Sequence, residues 1–310
     1  MAQSSLVLFF LFFCLMFSSS DMIHSLSLSF TTTTQFTKST KIINTTINTA
    51  TATPTSKQIL YWMGLERTHE NITQDLNTVL QRSSRGQLTQ ISYEAYNLGS
   101  MSAFVDNHFY NVLPILKSSP HIQETYPMIT TVNIPYLTDL LNNETSMDKF
   151  IKQAIQNEKL IQATGYNIDF EPDRCEASTR LAPAFAVFLN RFADALHSIG
   201  RKLTVCVASW SYFWDCKLIA ETRVDKVITM DTYAVRADEF DSAFKKALSY
   251  IPVNKLGLGL MYDSRVDVTE LRRRIGMILK TGITEIDVWQ YQGTSDMWFS
   301  ELQQGFLSQQ

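Results

Sequence analysis

The chain has 310 residues, 45% of them hydrophobic, and a formal net charge of -3. This length allows one large domain or two modest ones with a buried core. The mildly acidic balance, without any run of Lys or Arg, argues against a nucleic-acid partner or an anionic lipid surface.

The first element in chain order is an apolar run over residues 6–17, which is followed by three serines at positions 18–20. The run is too short to span a bilayer, and small residues follow it, so we predict a signal peptide over residues 1–20. Because no Lys or Arg precedes the run, an uncleaved membrane anchor is the alternative.

Residues 21–57 are rich in Ser and Thr and poor in groups that could form a core. We predict a disordered linker here, because such a segment cannot bury enough apolar surface to offset its ordering entropy. Glycosylation sequons at Asn44, Asn71 and Asn143 agree with a secretory route. We therefore expect a glycoprotein that is secreted or lysosomal.

From residue 58 to residue 310 short apolar runs alternate with amphipathic stretches. The eight strand candidates are Ile59–Met63, Leu88–Tyr93, Tyr126–Val132, Tyr166–Phe170, Leu203–Ala208, Lys226–Thr232, Leu256–Met261 and Glu285–Gln290. Helical patterns fall between them, over about 148–163, 181–199 and 266–280. This order predicts an α/β fold, a single (β/α)8 TIM barrel. A doubly wound sheet is the competitor, but the glycine-rich loop typical after its first strand is missing.

Three cysteines remain after the signal peptide. Cys206 lies in a predicted strand, whereas Cys175 and Cys216 lie in predicted loops, so we expect a Cys175–Cys216 disulfide. Neither the cysteines nor the five histidines have the spacing of a metal site, and we expect no cofactor or metal.

The fourth strand candidate carries two carboxylates. Side chains alternate across a strand, so the apolar members face the helices, and Asn167, Asp169 and Glu171 face the lumen. Pro172 ends the strand, which places Glu171 at the carboxyl end, where TIM-barrel enzymes hold their catalytic groups.

Two neighbouring carboxyls in a barrel resist ionising together, which raises one pKa and makes a general acid. The alternative is a polar strand end satisfied by Arg side chains or backbone amides. Because both carboxyls come from one strand face, they lie on the same side of a substrate. They cannot act as acid and opposite-face nucleophile, but an acetamido group of the substrate can supply the nucleophile.

The string Gly-Tyr-Asn-Ile-Asp-Phe-Glu resembles the fourth-strand signature Asp-Gly-x-Asp-x-Asp-x-Glu of glycoside hydrolase family 18, the chitinases and their relatives. The resemblance implies that Glu171 protonates the glycosidic oxygen and that Asp169 orients the acetamido group. Asn167 stands at the second Asp, as in the di-N-acetylchitobiase branch, and Thr164 stands at the first. The Ser-x-Gly-Gly of a typical third strand is missing.

Other strand ends resemble the family more weakly. Trp289 is similar to the Trp that floors the sugar site, and Tyr262 is similar to the Tyr that ends the seventh strand. The sixth strand implies that Tyr233 contacts the acetamido oxygen and that Asp231 adds a polar contact nearby. We predict that Asp231 and Tyr233 face inward together and that Met230 faces out.

Aromatic side chains beyond strand ends offer sugar platforms. Trp210 follows the fifth predicted strand and Tyr96 the second, although loop anchoring is an equal alternative for both.

Together these features predict retaining, substrate-assisted hydrolysis of β-1,4-linked N-acetylglucosamine oligosaccharides by a monomer. The alternative is a sugar-binding relative, a lectin, that has lost turnover.

Overall fold

The computed structural model describes residues 56–64, 69–109 and 111–309. The predicted signal peptide and nearly all of the predicted linker lie outside these ranges. No helix within the described ranges combines the length and the apolar character that crossing a bilayer requires.

Eight parallel strands close into a barrel, as predicted. They are β1 (Gln58–Met63), β2 (Gln90–Leu98), β4 (Glu124–Thr131), β5 (Gly165–Phe170), β6 (Lys202–Val207), β7 (Lys226–Thr229), β8 (Leu256–Met261) and β9 (Glu285–Trp289). Each strand pairs with its neighbour in parallel, and pairing of β1 with both β2 and β9 completes the ring. A short strand β3 (Phe104–Asp106) pairs antiparallel with the end of β2 outside this ring.

Two strands end three or more residues from the predicted position. β2 continues to Leu98 instead of ending at Tyr93, and its register against β4 shifts between Glu94 and Tyr96. Ala95 is the extra residue of this β-bulge. β7 ends at Thr229, and residues 231–233 form a 3-10 turn in which the Thr232 hydroxyl donates to the Gly259 carbonyl at 2.6 Å.

Helices cover the outside of the barrel. The longer ones are α1 (His69–Ser84), α3 (Ile134–Asn142), α4 (Glu144–Ile161), α6 (Ala182–His197), α8 (Ala237–Tyr250) and α9 (Val268–Thr281). The shorter ones are α2 (Val112–Lys117), α5 (Glu176–Arg180), α7 (Cys216–Ala220) and α10 (Asp296–Leu302). α4 begins earlier than predicted because the Asn143 side chain accepts from the Thr145 and Ser146 amides and caps its first turn.

The outer face of β5 shows why the barrel holds together. Tyr166 and Phe170 point outward, where Tyr166 stacks on Phe192 and Phe170 on Phe188, both from α6. Gly200, with φ +71, then provides the left-handed residue that follows this helix. The apolar period of two in β5 therefore meets the apolar stripe of α6, as the sequence predicted.

The amino-terminal end of the barrel is filled by polar side chains that bond one another. Gln90 donates to Gln58 at 2.7 Å and to Glu124 at 2.8 Å, and Glu124 also pairs with Lys202. Buried charges are stable only with such partners. These side chains therefore fill the amino-terminal end of the lumen.

The predicted Cys175–Cys216 disulfide is wrong, since all three cysteines in the described ranges are free thiols. The Cys175 thiol turns to Ser178 at the start of α5, at 3.8 Å. The Cys216 thiol turns to the Trp214 carbonyl at the start of α7, also at 3.8 Å. Each thiol is thus turned into its own helix start.

Candidate active site

Asp169 and Glu171 lie together at the carboxyl end of the barrel. Asp169 is the last inward residue of β5, and its neighbour in register on β4 is Thr130. Glu171 follows the strand directly, and its amide donates to the Thr131 carbonyl at 2.9 Å. The two carboxyl groups share a hydrogen bond, and Asp169 is only 8% exposed, whereas Glu171 is half-buried.

Burial dominates the acidity of this pair. It raises the pKa of Asp169 well above its ordinary value, and the negative charges of Glu171 and Glu94 raise it further. Burial also raises the pKa of Glu171, while the hydrogen bond from Asp169 lowers it. Among the described residues, no Lys or Arg forms an ion pair with either carboxyl, so a strand end held by guanidinium groups does not describe this pair.

Deeper in the lumen, a buried amide and a buried thiol support Asp169. The Asn167 amide donates to the Thr204 hydroxyl at 2.8 Å, and the Cys206 thiol lies 3.5 Å from the amide oxygen of Asn167. Cys206 also forms a hydrogen bond that lowers the pKa of Asp169. The sequence analysis left Cys206 as an unpaired thiol within a strand and gave it no role, although its alternation with Thr204 on β6 places both in the lumen.

Glu94 is a second residue that the sequence analysis missed. Its register partner Met128 pairs in turn with Asn167, so Glu94 lies on the lumen side of β2. A third carboxylate therefore lies on the lumen side two strands away from Asp169. Its signal in the sequence was an isolated acidic residue in an otherwise apolar and aromatic strand.

Tyr233 points into the lumen, as predicted. Burial, with further contributions from Cys206 and Asp169, raises its pKa well above the ordinary value, so the hydroxyl keeps its proton. Gly259 makes room for the ring, because a Cβ there would approach the Tyr233 Cε1 atom to 2.8 Å. In the described residues, the Tyr233 hydroxyl has no hydrogen-bond partner, and it is available as a donor.

Asp231 does not follow the predicted pattern. Because residues 231–233 form a 3-10 turn and not a strand, the alternation that paired Asp231 with Tyr233 does not apply. The Asp231 carboxylate instead accepts from the Ser209 amide at 2.7 Å and from the Ser209 hydroxyl at 2.9 Å. It thereby holds the loop after β6.

The last strand contributes one lumen residue near the mouth and one far below it. Trp289 ends β9, half-buried, on the same face as Asp287. Asp287 is fully buried, neither of its carboxylate oxygens has a hydrogen-bond partner among the described residues, and burial raises its pKa well above the ordinary value. Gly257 leaves the space that this carboxyl occupies.

Two predicted sugar contacts pack against other aromatic side chains. The Tyr262 ring packs edge-on against Trp298 of α10, with ring centroids 5.5 Å apart. Tyr96 is turned outward by the bulge at Ala95 and packs against Phe104, with ring centroids 4.4 Å apart. Without the bulge Tyr96 would face the lumen near Glu94; with it, the ring lies on the outer face of β2, under the helices.

The loop after β6 divides its aromatic residues into two pairs. Phe213 and Trp214 are buried, whereas Trp210 is 44% exposed and Tyr212 is 66% exposed. Trp210 stands edge-on to Trp214, and the Arg174 guanidinium lies 5.4 Å from the Tyr212 ring centroid. Two accessible rings therefore stand beyond the carboxyl end of β6.

The polar atoms of this site include no arrangement for a cation. Within the described ranges, no group of three or more His, Cys, Asp or Glu side chains is placed to hold a metal ion. The site at the carboxyl end of the barrel thus consists of two neighbouring carboxyl groups, the Tyr233 hydroxyl and the Trp289 ring.

No family model and no curated protein matches the chain. Solved structures do match it, over most of its length. A chitinase from Chromobacterium violaceum aligns with a TM-score of 0.68 at 12% identity, covering 82% of this chain and all of that one. The spore cortex-lytic enzyme SleL from Bacillus megaterium aligns with a TM-score of 0.67 at 14% identity, covering 82% of this chain and 75% of that one.

A class V chitinase from Nicotiana tobaccum, in complex with NAG4, aligns with a TM-score of 0.64 at 12% identity, covering 82% of this chain and 99% of that one. At these identities the likeness establishes the fold. The chain is therefore a (β/α)8 barrel of the form that these chitinases share.

Proposed function

We propose that the protein is a glycosidase that hydrolyses β-1,4-linked N-acetylglucosamine oligosaccharides with retention at the anomeric carbon. The observation that carries the proposal is the placement of Asp169 and Glu171 side by side at the carboxyl end of β5, the first buried in the lumen and the second half-buried. The structural neighbours named as chitinases, one of them bound to NAG4, support the same substrate class.

In the proposed first step Glu171 gives its proton to the glycosidic oxygen as the bond from that oxygen to the anomeric carbon breaks. The acetamido carbonyl oxygen of the same sugar forms a bond to the anomeric carbon, so that the substrate supplies the nucleophile. Asp169 and the Tyr233 hydroxyl hold the acetamido group. Water then attacks the anomeric carbon and returns a proton to Glu171, which frees the acetamido group.

The buried pair suits this step because it retains a proton that an exposed pair would lose. Both pKa values are raised, since a charged carboxylate is poorly solvated there. Trp289 would lie under the reacting sugar, and Trp210 would contact a more distant unit. We also propose that the substrate is a short oligosaccharide, like that of the di-N-acetylchitobiase branch. We propose that the protein is secreted from the cell or delivered to the lysosome.

The test is turnover of a fluorogenic chitobioside and chitotrioside by the wild type and by Glu171→Gln. We expect Glu171→Gln to reduce turnover by at least about a hundredfold, the usual contribution of a general acid, while oligosaccharide binding remains. Equal turnover by the two proteins would contradict the mechanism. Binding without turnover in the wild type would favour a lectin, a reading that Asn167 in place of the signature Asp also allows.

A further inference from the structure

A cavity of about 610 Å³ opens on the outer wall of the barrel, on the other side of β2 from the lumen. It exists because α2 has only six residues and leaves part of the outer face of β2 uncovered. α4 forms the opposite wall. The volume lies within the range of small-molecule sites in proteins, ~300–1,000 Å³.

The strand itself separates this cavity from the carboxyl pair. Tyr93 and Glu94 are consecutive in β2 and therefore face opposite sides of it. Glu94 faces Asp169, whereas Tyr93 lines the outer cavity. A ligand in the cavity would be out of contact with the groups proposed for catalysis.

The Tyr93 hydroxyl points into this cavity without a partner. Its side chain is only 3% exposed, yet in the described part of the chain the hydroxyl forms no hydrogen bond. Burial, the Tyr96 hydroxyl and the Asp106 carboxylate raise the pKa of Tyr93, so the phenol remains a donor. The hydroxyl is not sealed in the core but is reached from the cavity, so a ligand there can accept its hydrogen bond.

Two further polar groups in the wall have acceptor atoms to spare. The Asn157 amide nitrogen donates to the Tyr96 and Tyr166 hydroxyls, at 2.8 Å and 2.9 Å, and its oxygen accepts nothing from the described residues. Asp106 uses one oxygen to accept from the His108 amide at 2.6 Å, which leaves the other oxygen available. The ligand must therefore bring hydrogen-bond donors.

The charge and the remaining walls narrow the ligand class. Lys117 lines the same cavity as Asp106, so the wall carries one charge of each sign, and Lys117 already donates to the Ile161 carbonyl at 3.1 Å. Leu113 and Leu160 provide apolar surface on opposite sides. A neutral ring compound with several hydroxyl groups and an apolar face fits this combination, whereas an organic cation or anion would meet a like charge.

We propose that the cavity between α2 and α4 is a second binding site, for a saccharide unit, with the Tyr93 hydroxyl, the Asp106 carboxylate and the Asn157 amide oxygen as its polar contacts. The site is independent of the proposed catalysis. It would hold one part of a glycan chain while another part lies at the barrel mouth.

The probe is the β-1,4-linked N-acetylglucosamine disaccharide, titrated into Glu171→Gln protein and followed by amide and indole chemical shifts. We expect two groups of shifts, one that includes the Trp289 indole and one around Tyr93. Adding Tyr93→Phe should weaken binding in the second group about fivefold, the contribution of one neutral hydrogen bond. Adding Leu160→Trp should also change the affinity of the second group, because Leu160 lies at the cavity rim, where it is 83% exposed, and a larger ring there alters the entrance.

Tyr136→Phe is the matched control, since it removes a tyrosine hydroxyl on α3 that does not line the cavity, and it should change neither group. Failure of the disaccharide to shift residues around Tyr93, or an affinity there that is unaffected by both Tyr93→Phe and Leu160→Trp, overturns the proposal. Shifts around Tyr93 without shifts at Trp289 would leave this site standing and count against the proposed function instead. Wild-type turnover of the fluorogenic chitobioside should be unchanged by Tyr93→Phe.

Discussion

Replacing Glu158 by Gln should make the folded chain less sensitive to alkaline pH. Glu158 lies on α4, its side chain is fully buried, and the Arg201 Nε atom lies 3.1 Å from one carboxylate oxygen. Burial raises the pKa of this carboxyl from 4.5 to about 8, and Arg201 offsets only part of the effect. The folded chain thus holds the proton more tightly than the unfolded chain does.

The sign and size of the effect follow from this difference. The stabilisation is fully present below pH 4.5, and it is lost as the pH rises through about 8. The gap between the two pKa values, at ~1.4 kcal/mol for each pH unit, sets an upper bound of about 5 kcal/mol on the loss. Because the Arg201 side chain is 31% exposed and admits water, we expect about 2 kcal/mol.

The assay is urea unfolding of the wild type and of Glu158→Gln at pH 5, 7 and 9. The two proteins should agree within about 1 kcal/mol at pH 5, where the wild-type carboxyl is protonated, and the variant should be more stable by about 2 kcal/mol at pH 9. Glu144→Gln, at an exposed position of the same helix, should show no such pH dependence. A difference between wild type and Glu158→Gln that is the same at pH 5 and pH 9 would refute the reasoning.

Three substitutions test the lumen. Asp169→Asn should lower chitobioside turnover by about a hundredfold or more, because the group that holds the acetamido is altered, and unchanged turnover would remove Asp169 from the mechanism. Cys206→Val should lower the free energy of unfolding by about 1–3 kcal/mol, since it leaves the Asn167 amide oxygen without its thiol donor. Cys206→Ser keeps a donor and should lower it less. Equal losses in the two variants would contradict this role of the thiol. Gly259→Ala should lower the free energy of unfolding, because the new Cβ would lie 2.1 Å from the Thr229 carbonyl oxygen on the neighbouring strand and 2.8 Å from the Tyr233 Cε1 atom; wild-type stability in urea unfolding would contradict this.

The barrel fold and the carboxyl pair of Asp169 and Glu171 could be predicted from the sequence, because both follow from the alternation of inward and outward side chains along strands. The period of two in β5 and the apolar face of α6 are repeated signals, and both follow from burial alone. The inward positions of Asn167 and Asp169 needed no more than that. Glu171 needed only the additional stop at Pro172.

The misplaced residues lie where the alternation breaks. Tyr96 follows a one-residue bulge, and Asp231 lies in a 3-10 turn, and neither feature has a pattern in a single sequence. Glu94 and Cys206 were missed for a different reason. Each is one polar side chain in an apolar strand, and its role depends on which side chain a nearby strand places beside it, which the strand register sets.

The extra residue at Ala95 reverses which side chains of β2 face the lumen. Glu94 faces inward before it, and Tyr96 faces outward after it. Removing that one residue would restore strict alternation, so every later side chain of β2 would turn to the opposite face of the strand. The Tyr96 ring would then enter the lumen beside Asp169. The outer cavity would lose its Tyr96 wall in the same event. A designer who wishes to reshape either surface should therefore substitute side chains around Ala95 and leave the chain length of this strand unaltered.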